Sequence, residues 1–132
     1  MREIKVYRAQ NGEVPMYPFL LSLDRILYRK VLSQIAMLAN ISAADMKEPH
    51  IKHFVIEKYN QLYELRVKKR ILVRIIFVIS DEDVLLLEPF IKRQKRDTVT
   101  ALEKSIRMLS AFRENPECVI KFLPPEEEEI MK

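Results

Sequence analysis

The chain has few cysteines and histidines, the residues that form disulfides and metal sites, and it is also poor in glycine and tryptophan. Its 132 residues include one cysteine, no tryptophan, one glycine and two histidines. The lone Cys118 excludes an internal disulfide, and His50 and His53 have no cysteine or further ligand at the spacing of a metal site. We therefore expect neither a metal ion nor another cofactor.

Long apolar runs are also missing. Residues 1–5 lack the apolar core of a signal peptide. No run approaches the roughly 18 apolar residues needed to span a bilayer. These absences predict a protein of the reducing cytoplasm with no membrane partner.

The chain does contain enough apolar material for one hydrophobic core. About half of its residues, 48%, are hydrophobic, and its length is close to that of a typical domain. We predict one domain over residues 1–123 and an acidic, flexible tail over residues 124–132. The net charge of +4 hides a separation of charge, because four glutamates stand together at 126–129. A second hypothesis is that these glutamates fold back and shield the basic groups as a mimic of phosphate.

The spacing of apolar residues predicts an α+β fold. Residues 3–8 alternate as a strand, and residues 17–40 have the three-and-four spacing of an amphipathic helix or a helical hairpin. Residues 45–60 predict a short helical turn and a loop. Residues 62–67, 71–79 and 84–91 predict a three-stranded antiparallel meander. Asp97 or Thr98 is expected to begin a last helix, with Thr100 and Glu103 as a capping box, and residues 119–123 are expected to add an edge strand.

Basic side chains cluster along and after the strands of the meander. No acidic residue occurs from position 65 to position 80, so the clustering is local. Isolated phosphates are one possible ligand, but cations spread along several strands suit a polyanion, since each neutralised phosphate releases a counterion. Nucleic acid is therefore the first hypothesis, with a solvated basic face as the alternative. The clusters are Arg66, Lys68, Lys69, Arg70 and Arg74, followed by Lys92, Arg93, Lys95 and Arg96.

The link between the first two strands of the meander decides where the arginines point. A three-residue link, 68–70, would set Glu64 opposite Arg74 and Arg66 opposite Leu72, so that both arginines share one face. A two-residue turn would separate the arginines and would require positive φ values. We favour the odd-numbered link.

The same parity in the next turn would place Glu88 beside Arg74, which would then lie between two carboxylates. That arrangement is typical of a structural ion-pair lattice on a half-exposed sheet. It is also typical of a site in which a carboxylate moves a proton while cations stabilise a charged phosphorane.

The order of these motifs resembles a known family. Residues 62–67 read Leu-Tyr-Glu-Leu-Arg-Val, Arg74 stands in the next strand, and residues 87–93 read Leu-Glu-Pro-Phe-Ile-Lys-Arg. Over roughly residues 49–112 the chain resembles the phage-derived Gp49-like, HigB-like branch of the RelE/ParE toxin superfamily. This resemblance implies a RelE-like fold, in which N-terminal helices and a C-terminal helix pack on one side of a small twisted antiparallel sheet.

The resemblance also implies a type II toxin that a cognate antitoxin protein neutralises. RelE-like and HigB-like toxins are typically ribosome-dependent endoribonucleases that cut mRNA through the ribose 2′-hydroxyl, so the resemblance implies this activity without a cofactor. Matching positions assign Arg66 and Arg74 to the phosphate, and His53 is a weaker candidate for proton transfer. The predicted site comprises Arg66, Arg74, Glu88 and His53 as catalytic residues, and Lys52, Lys68, Lys69, Arg70, Lys92, Arg93, Lys95 and Arg96 as RNA-binding residues.

Two alternatives stay open. No tyrosine or histidine follows Tyr63, so the late aromatic acid or base that some relatives use is missing. Glu88, Glu64, His53 or a lysine would have to replace it. A ParE-like toxin that binds DNA gyrase needs no proton-transfer group, and a noncatalytic binding module needs only a basic face.

Overall fold

A six-stranded mixed sheet forms the centre of the protein in a computed structural model that describes residues 1–125. The strand order is β2-β3-β4-β5-β1-β6, and β1 runs parallel to β5 while the other neighbours are antiparallel. The α+β class and the C-terminal helix are confirmed, but the sheet is not wholly antiparallel. The elements are β1 (Glu3–Tyr7), α1 (Met16–Leu21), α2 (Arg25–Met37), β2 (Ile51–His53), β3 (Tyr63–Lys69), β4 (Ile71–Ile79), β5 (Asp83–Ile91), α3 (Lys95–Glu114) and β6 (Val119–Lys121).

Helices cover both faces of the sheet. Val73, Ile75 and Phe77 of β4 pack into a core with α1 and α2, whereas Ile76 packs into a second core with α3. Successive side chains of a strand point to opposite faces, so these two cores lie on opposite sides of the sheet. The expectation that all helices lie on one side is therefore wrong. The near-continuous apolar run of β4 is the sequence signal of a strand that is buried on both faces.

Local caps determine where the helices begin. Asp24 Oδ1 accepts a hydrogen bond of 2.9 Å from the Leu27 N–H, so α2 starts after a break and the segment 17–40 contains two helices instead of one continuous helix. The Asp97 carboxylate accepts the Arg93 N–H at 2.8 Å and the Gln94 N–H at 2.9 Å, so α3 starts earlier than predicted. The capping box of Thr100 and Glu103 is not formed. No helix within residues 1–125 combines the length and apolar character needed to cross a membrane.

The two edge strands differ in how well the sequence predicts them. The expected edge strand near residue 119 is β6, which pairs with β1. β2 was expected to be loop; its three residues pair with β3 but are too few to show a period. The acidic tail was predicted over residues 124–132, and residues 126–132, which include its four glutamates, lie outside the described residues.

The β3–β4 hairpin is tighter than predicted. β3 continues to Lys69, and Arg70 alone links it to β4 with a φ of 65°. Arg66 therefore lies directly opposite Arg74, and the prediction that both arginines share a face is confirmed. The three-residue link is wrong. Each partner lies two residues further along β4 than expected, so Glu64 is not opposite Arg74.

The positive φ at Arg70 yields a stability prediction. Arg70→Gly is expected to raise the free energy of unfolding by about 1 kcal/mol, because glycine adopts this conformation without the Cβ clash. Urea denaturation measures the change. Arg70→Ala is the control, since it removes the charge and keeps the Cβ. An equal gain in both variants would show that charge, rather than backbone conformation, limits the hairpin.

Candidate anion-binding site

Two arginines share one buried carboxylate on the face of the sheet that also carries α3. Glu64 lies two residues before Arg66 on β3, so their side chains point to the same face as Arg74. The Arg66 Nε–H donates to Glu64 Oε1 at 2.9 Å, and Arg74 Nε lies 3.6 Å from the same oxygen. Like charges directly opposite each other on paired strands repel. Glu64, at 1% exposure, offsets that repulsion but leaves the trio with a net positive charge.

Burial leaves Arg74 short of hydrogen-bond acceptors. The side chain of Arg74 is only 11% exposed, and its burial lowers the pKa of the guanidinium, as does Arg66, while Glu64 acts in the opposite direction. Arginine nevertheless stays charged in proteins. Within residues 1–125, Arg74 Nε and Glu64 Oε2 are buried without a hydrogen-bond partner. A bound anion would supply the acceptor that Arg74 lacks.

A pocket of about 390 Å³ opens beside the arginines. It forms where β3 extends past the short β2, with α2 as the opposite wall. The Arg66 N–H donates to the His50 carbonyl at 2.8 Å, and Lys30 Nζ donates to the Lys68 carbonyl at 2.9 Å. The volume of the pocket is within the range of small-molecule sites. Its polar lining residues are Lys30, Gln34, His50, Arg66, Lys68 and Arg74.

A second carboxylate holds the outer side of Arg66. Glu48 Oε1 accepts a hydrogen bond of 2.8 Å from Arg66 Nη1. The Glu48 side chain is 66% exposed, in contrast to the buried Glu64. Glu48 therefore occupies a position that a phosphate oxygen could take, because guanidinium groups bind carboxylates and phosphates through the same donors.

Three of the predicted RNA-binding lysines share the face of the arginines. Lys52 lies opposite Glu64, although its Nζ lies over the Phe54 ring at 5.5 Å from the centroid. Lys68 follows Arg66 by two residues. The Lys92 N–H donates to the Leu72 carbonyl at 2.8 Å, which extends the pairing of β4 with β5. Lys92 follows Phe90, the residue opposite Arg74, by two positions and therefore shares its face. The basic face is therefore wider than the arginine pair.

The other predicted RNA-binding residues lie elsewhere. Lys69 alternates to the opposite face, where it lines a separate hollow together with Arg70 and residues of α2. Lys95 and Arg96 belong to the first turn of α3, and Arg93 stands just before it. The structure thus divides the predicted basic set between two faces of the sheet and one helix terminus.

Glu88 is not beside Arg74. Ile79 pairs with Val84, a register that would put Pro89 opposite Arg74, and a register shift between Ile75 and Phe77 then puts Phe90 there. Glu88 Oε2 instead lies 3.5 Å from Lys104 Nζ of α3. Burial raises the pKa of Glu88, and Lys104 and Arg107 oppose this shift. The expectation that Arg74 lies between two carboxylates is therefore wrong, because the pairing at the turn and the β-bulge both differ from the register that parity predicts.

The raised pKa of Glu88 predicts a pH dependence of stability. The folded protein holds the Glu88 proton at a pH where the unfolded chain has lost it, so this contribution falls as pH rises above the ordinary glutamate range. Glu88→Gln is expected to become more stable relative to the unsubstituted protein as pH rises from acidic to neutral, as urea unfolding would measure.

Glu103→Gln is the matched control for this pH dependence. The hydrogen bond from Lys58 lowers the pKa of Glu103, so its contribution is present above the ordinary glutamate pKa and is lost as pH falls. The two variants should therefore change in opposite directions with pH. The same pH trend in both would contradict this assignment.

His50, rather than the predicted His53, lies at the arginine pocket. His53 lies opposite Tyr63, one residue along from Lys52, and so points to the other face of the sheet. Its ring stacks on Tyr63 with centroids 4.4 Å apart, and its Nε2 lies 2.6 Å from the Asn60 carbonyl oxygen. The structure does not bring His53 to the arginines, but His50 lines their pocket. The sequence carried no signal for this, because His50 is placed by the pairing of the short β2.

The arrangement can bind and stabilise a phosphate. Two guanidinium groups with one buried counter-charge are preorganised donors, and their value rises where water is excluded. His50 adds a group that can accept or donate a proton. Gln34 Oε1 is buried without a hydrogen-bond partner in the described chain and offers an acceptor to a ligand hydroxyl. No group of three or more His, Cys, Asp or Glu side chains in residues 1–125 is placed to hold a metal ion.

Comparison with known proteins identifies the family. A family model described as "Phage derived protein Gp49-like" matches residues 18–111, which extend from α1 through most of α3. The match includes every residue of the arginine pocket. No curated protein matches the chain. The chain belongs to the Gp49-like family, which is part of the RelE/HigB-like toxin–antitoxin group.

Proposed function

We propose that this protein is the toxin of a type II toxin–antitoxin system and cleaves mRNA at the ribosome. The observation that carries the proposal is the Arg66–Arg74 pair, held by one buried carboxylate beside an open pocket. The two arginines and Glu64 together carry a net positive charge. Arg74 Nε is a buried donor without an acceptor in the described chain. A cognate antitoxin partner is suggested by the family, and activity at ribosomes implies a cytoplasmic location.

The chemistry needs little from the protein beyond charge and proton transfer. The ribose 2′-oxygen attacks the adjacent phosphorus while its proton passes to a base. The bond from phosphorus to the 5′-oxygen then breaks, and the leaving 5′-oxygen takes a proton from the protonated base or from another acid. The products carry a 2′,3′-cyclic phosphate and a 5′-hydroxyl. Because the nucleophile belongs to the substrate, correct orientation replaces a bimolecular step.

The residues of the pocket have distinct roles in this proposal. Arg66 and Arg74 stabilise the negative charge that builds on the phosphorane. His50 is the candidate that moves the proton, in place of His53. Glu64 is too deeply buried to reach the hydroxyl and positions the two arginines instead.

The deciding experiment adds the purified protein to a translating extract and to a DNA gyrase supercoiling assay. We expect the message to be cut only when ribosomes are present, with 5′-hydroxyl ends on the fragments. Arrested supercoiling with intact message would instead assign the ParE-like function. Neither effect would favour a noncatalytic binding module.

Glu48 is expected to compete with the phosphate for Arg66. Glu48→Gln should tighten the binding of a single-stranded RNA oligonucleotide by up to about 5-fold, which corresponds to the free energy of an exposed ion pair. Fluorescence anisotropy at low salt measures the affinity. Glu57→Gln, which removes one exposed charge from the short 3-10 helix Glu57–Tyr59, is the control. Equal effects would show that only net charge matters.

A further inference from the structure

A second cavity continues from the arginine pocket past the end of α2. Its volume is about 540 Å³, and Pro49 and His50 line both cavities. We call it the Asp45 hollow, after the carboxylate in its lining. Glu48 also lines it while accepting the hydrogen bond from Arg66, so the two cavities meet beside that guanidinium group. A ligand bound to the arginines can therefore extend directly into the Asp45 hollow.

Part of the lining of the Asp45 hollow is apolar. Ile41 is only 8% exposed and belongs to the core that contains α2, and the partly buried Met37 packs against the same core. Pro49 adds an apolar ring between this hollow and the arginine pocket. Such side chains pack against the faces of a nucleobase, whereas a phosphate gains nothing from them.

The two cavities differ in the sign of their charge. The charged groups that line the Asp45 hollow are the carboxylates of Asp45 and Glu48 and the ammonium group of Lys47. A phosphate is repelled by carboxylates, so the hollow suits the uncharged part of a nucleotide. In the described chain, the charged residues that line the arginine pocket are all cations, namely Lys30, Arg66, Lys68 and Arg74.

Asp45 is a hydrogen-bond acceptor that its neighbours hold in place. Ser42 Oγ donates to Asp45 Oδ2 at 2.9 Å, and the Asp45 N–H donates to the Ser42 carbonyl at 3.1 Å. The Lys47 N–H donates to the Asp45 carbonyl at 2.9 Å. An ionised carboxylate has about four acceptor positions, so Asp45 can accept from a ligand as well as from Ser42. The exocyclic amine of cytosine or adenine is such a donor, whereas O4 of uracil is an acceptor that a carboxylate repels.

We propose that the Asp45 hollow binds the nucleobase next to the scissile phosphate and selects a base that carries an exocyclic amine. The phosphate binds Arg66 and Arg74 in the arginine pocket. The faces of the base contact Met37 and Ile41, and its amine donates to the Asp45 carboxylate. This inference rests on the proposed function, because that function places the phosphate at the arginines. It gives cleavage a preference against uracil at this position.

Two oligonucleotides test the selection of the base. Cytosine and uracil are similar in size but carry an amine and an oxygen, respectively, at C4. Hexanucleotides of 2′-fluorocytidine and of 2′-fluorouridine lack the nucleophile, so their binding can be measured without cleavage. We expect the protein to bind the cytidine oligonucleotide about 10-fold more tightly in fluorescence anisotropy, the effect of one hydrogen bond to a charged group. Asp45→Asn should remove the difference, because an amide can turn to pair with either base.

Two further variants control this comparison. Asp81→Asn makes the same change at an exposed position in the β4–β5 turn and should leave the preference for cytidine intact. Arg74→Ala should weaken the binding of both oligonucleotides by a similar factor, because it acts on the phosphate that they share. Equal affinities of the unsubstituted protein for the two oligonucleotides, or a preference that survives Asp45→Asn, would overturn the proposal.

Methyl NMR spectra test where the base lies. Cytidine 5′-monophosphate joins a phosphate and a base in one small probe. It should shift the methyl signals of Met37 and Ile41, because an aromatic ring lies against them. Ile106 of α3 packs in the second core, on the other side of the sheet, and its methyl signals are the control. Unchanged Met37 and Ile41 signals at saturating nucleotide, or equal shifts at Ile106, would contradict the placement of the base.

The outcomes separate this inference from the proposed function. Equal binding of the two oligonucleotides that depends on Arg74 would leave the arginine pocket as an RNA site and would remove only the selection of the base. Binding that does not depend on Arg74 would instead contradict the proposed RNA site, and with it the role of the Asp45 hollow as its extension.

Discussion

Arg66→Ala and Arg74→Ala are each expected to lower the kcat of RNA cleavage by about 10²–10³-fold, the usual effect of removing one preorganised donor from a developing oxyanion. Both guanidinium groups approach the same oxygen of Glu64 and line the same pocket. Arg66 extends from β3 and Arg74 from β4, so neither guanidinium group can take the position of the other. Cleavage of a defined message on purified ribosomes, with kcat and KM determined separately, measures the effect.

Two further variants make this result interpretable. Arg113→Ala, at an exposed position in the last turn of α3, removes one positive charge outside the pocket and should leave kcat unchanged. Arg74→Lys keeps the charge but loses the planar fork, so it should recover only part of the activity. A loss confined to KM in the alanine variants would mean that the arginines bind RNA without stabilising the transition state, which contradicts the proposed role.

Glu64→Ala is expected to lower the free energy of unfolding by about 3–5 kcal/mol, the range for removing one partner of a buried ion pair. The substitution leaves two mostly buried guanidinium groups opposite each other with no carboxylate between them. Urea unfolding monitored by circular dichroism measures the change. Cleavage should also fall if the protein remains folded, because the arginines lose their shared anchor.

Glu48→Ala is the matched control, since it removes the other carboxylate from the same arginine. Glu48 is 66% exposed, so its loss should change the free energy of unfolding by at most about 1 kcal/mol. Glu64→Gln keeps the size and an acceptor oxygen and should fall between the two. If Glu64→Ala and Glu48→Ala lower the free energy of unfolding equally, the burial of Glu64 is not the reason that it stabilises the protein.

The strands and helices with clear local periods could be predicted from the sequence. The three meander strands and the helix that carries Leu102 and Leu109 follow from spacings that each segment shows on its own. The Gp49-like resemblance also rests on short ordered motifs, and the family match over residues 18–111 confirms it. Such features need no knowledge of distant contacts.

The surroundings of the arginines could be predicted only in part. The parity of the hairpin link placed Arg66 and Arg74 on one face, because side chains alternate along a strand. The length of the link, a single residue at positive φ, depended on Arg70 adopting a conformation that arginine rarely takes. Parity therefore gave the correct face but the wrong opposite residues.

The chain alone determined which charged groups are available, whereas tertiary structure decided which of them meet. The pairing at the β4–β5 turn and a β-bulge put Phe90 rather than Glu88 opposite Arg74, and the short β2 brought His50 rather than His53 to the pocket. Glu48 reached Arg66 from a loop 18 residues earlier. These outcomes depend on register and on pairing between distant segments. A one-residue change of register moves a side chain to the other face of a sheet, so no local pattern could decide them.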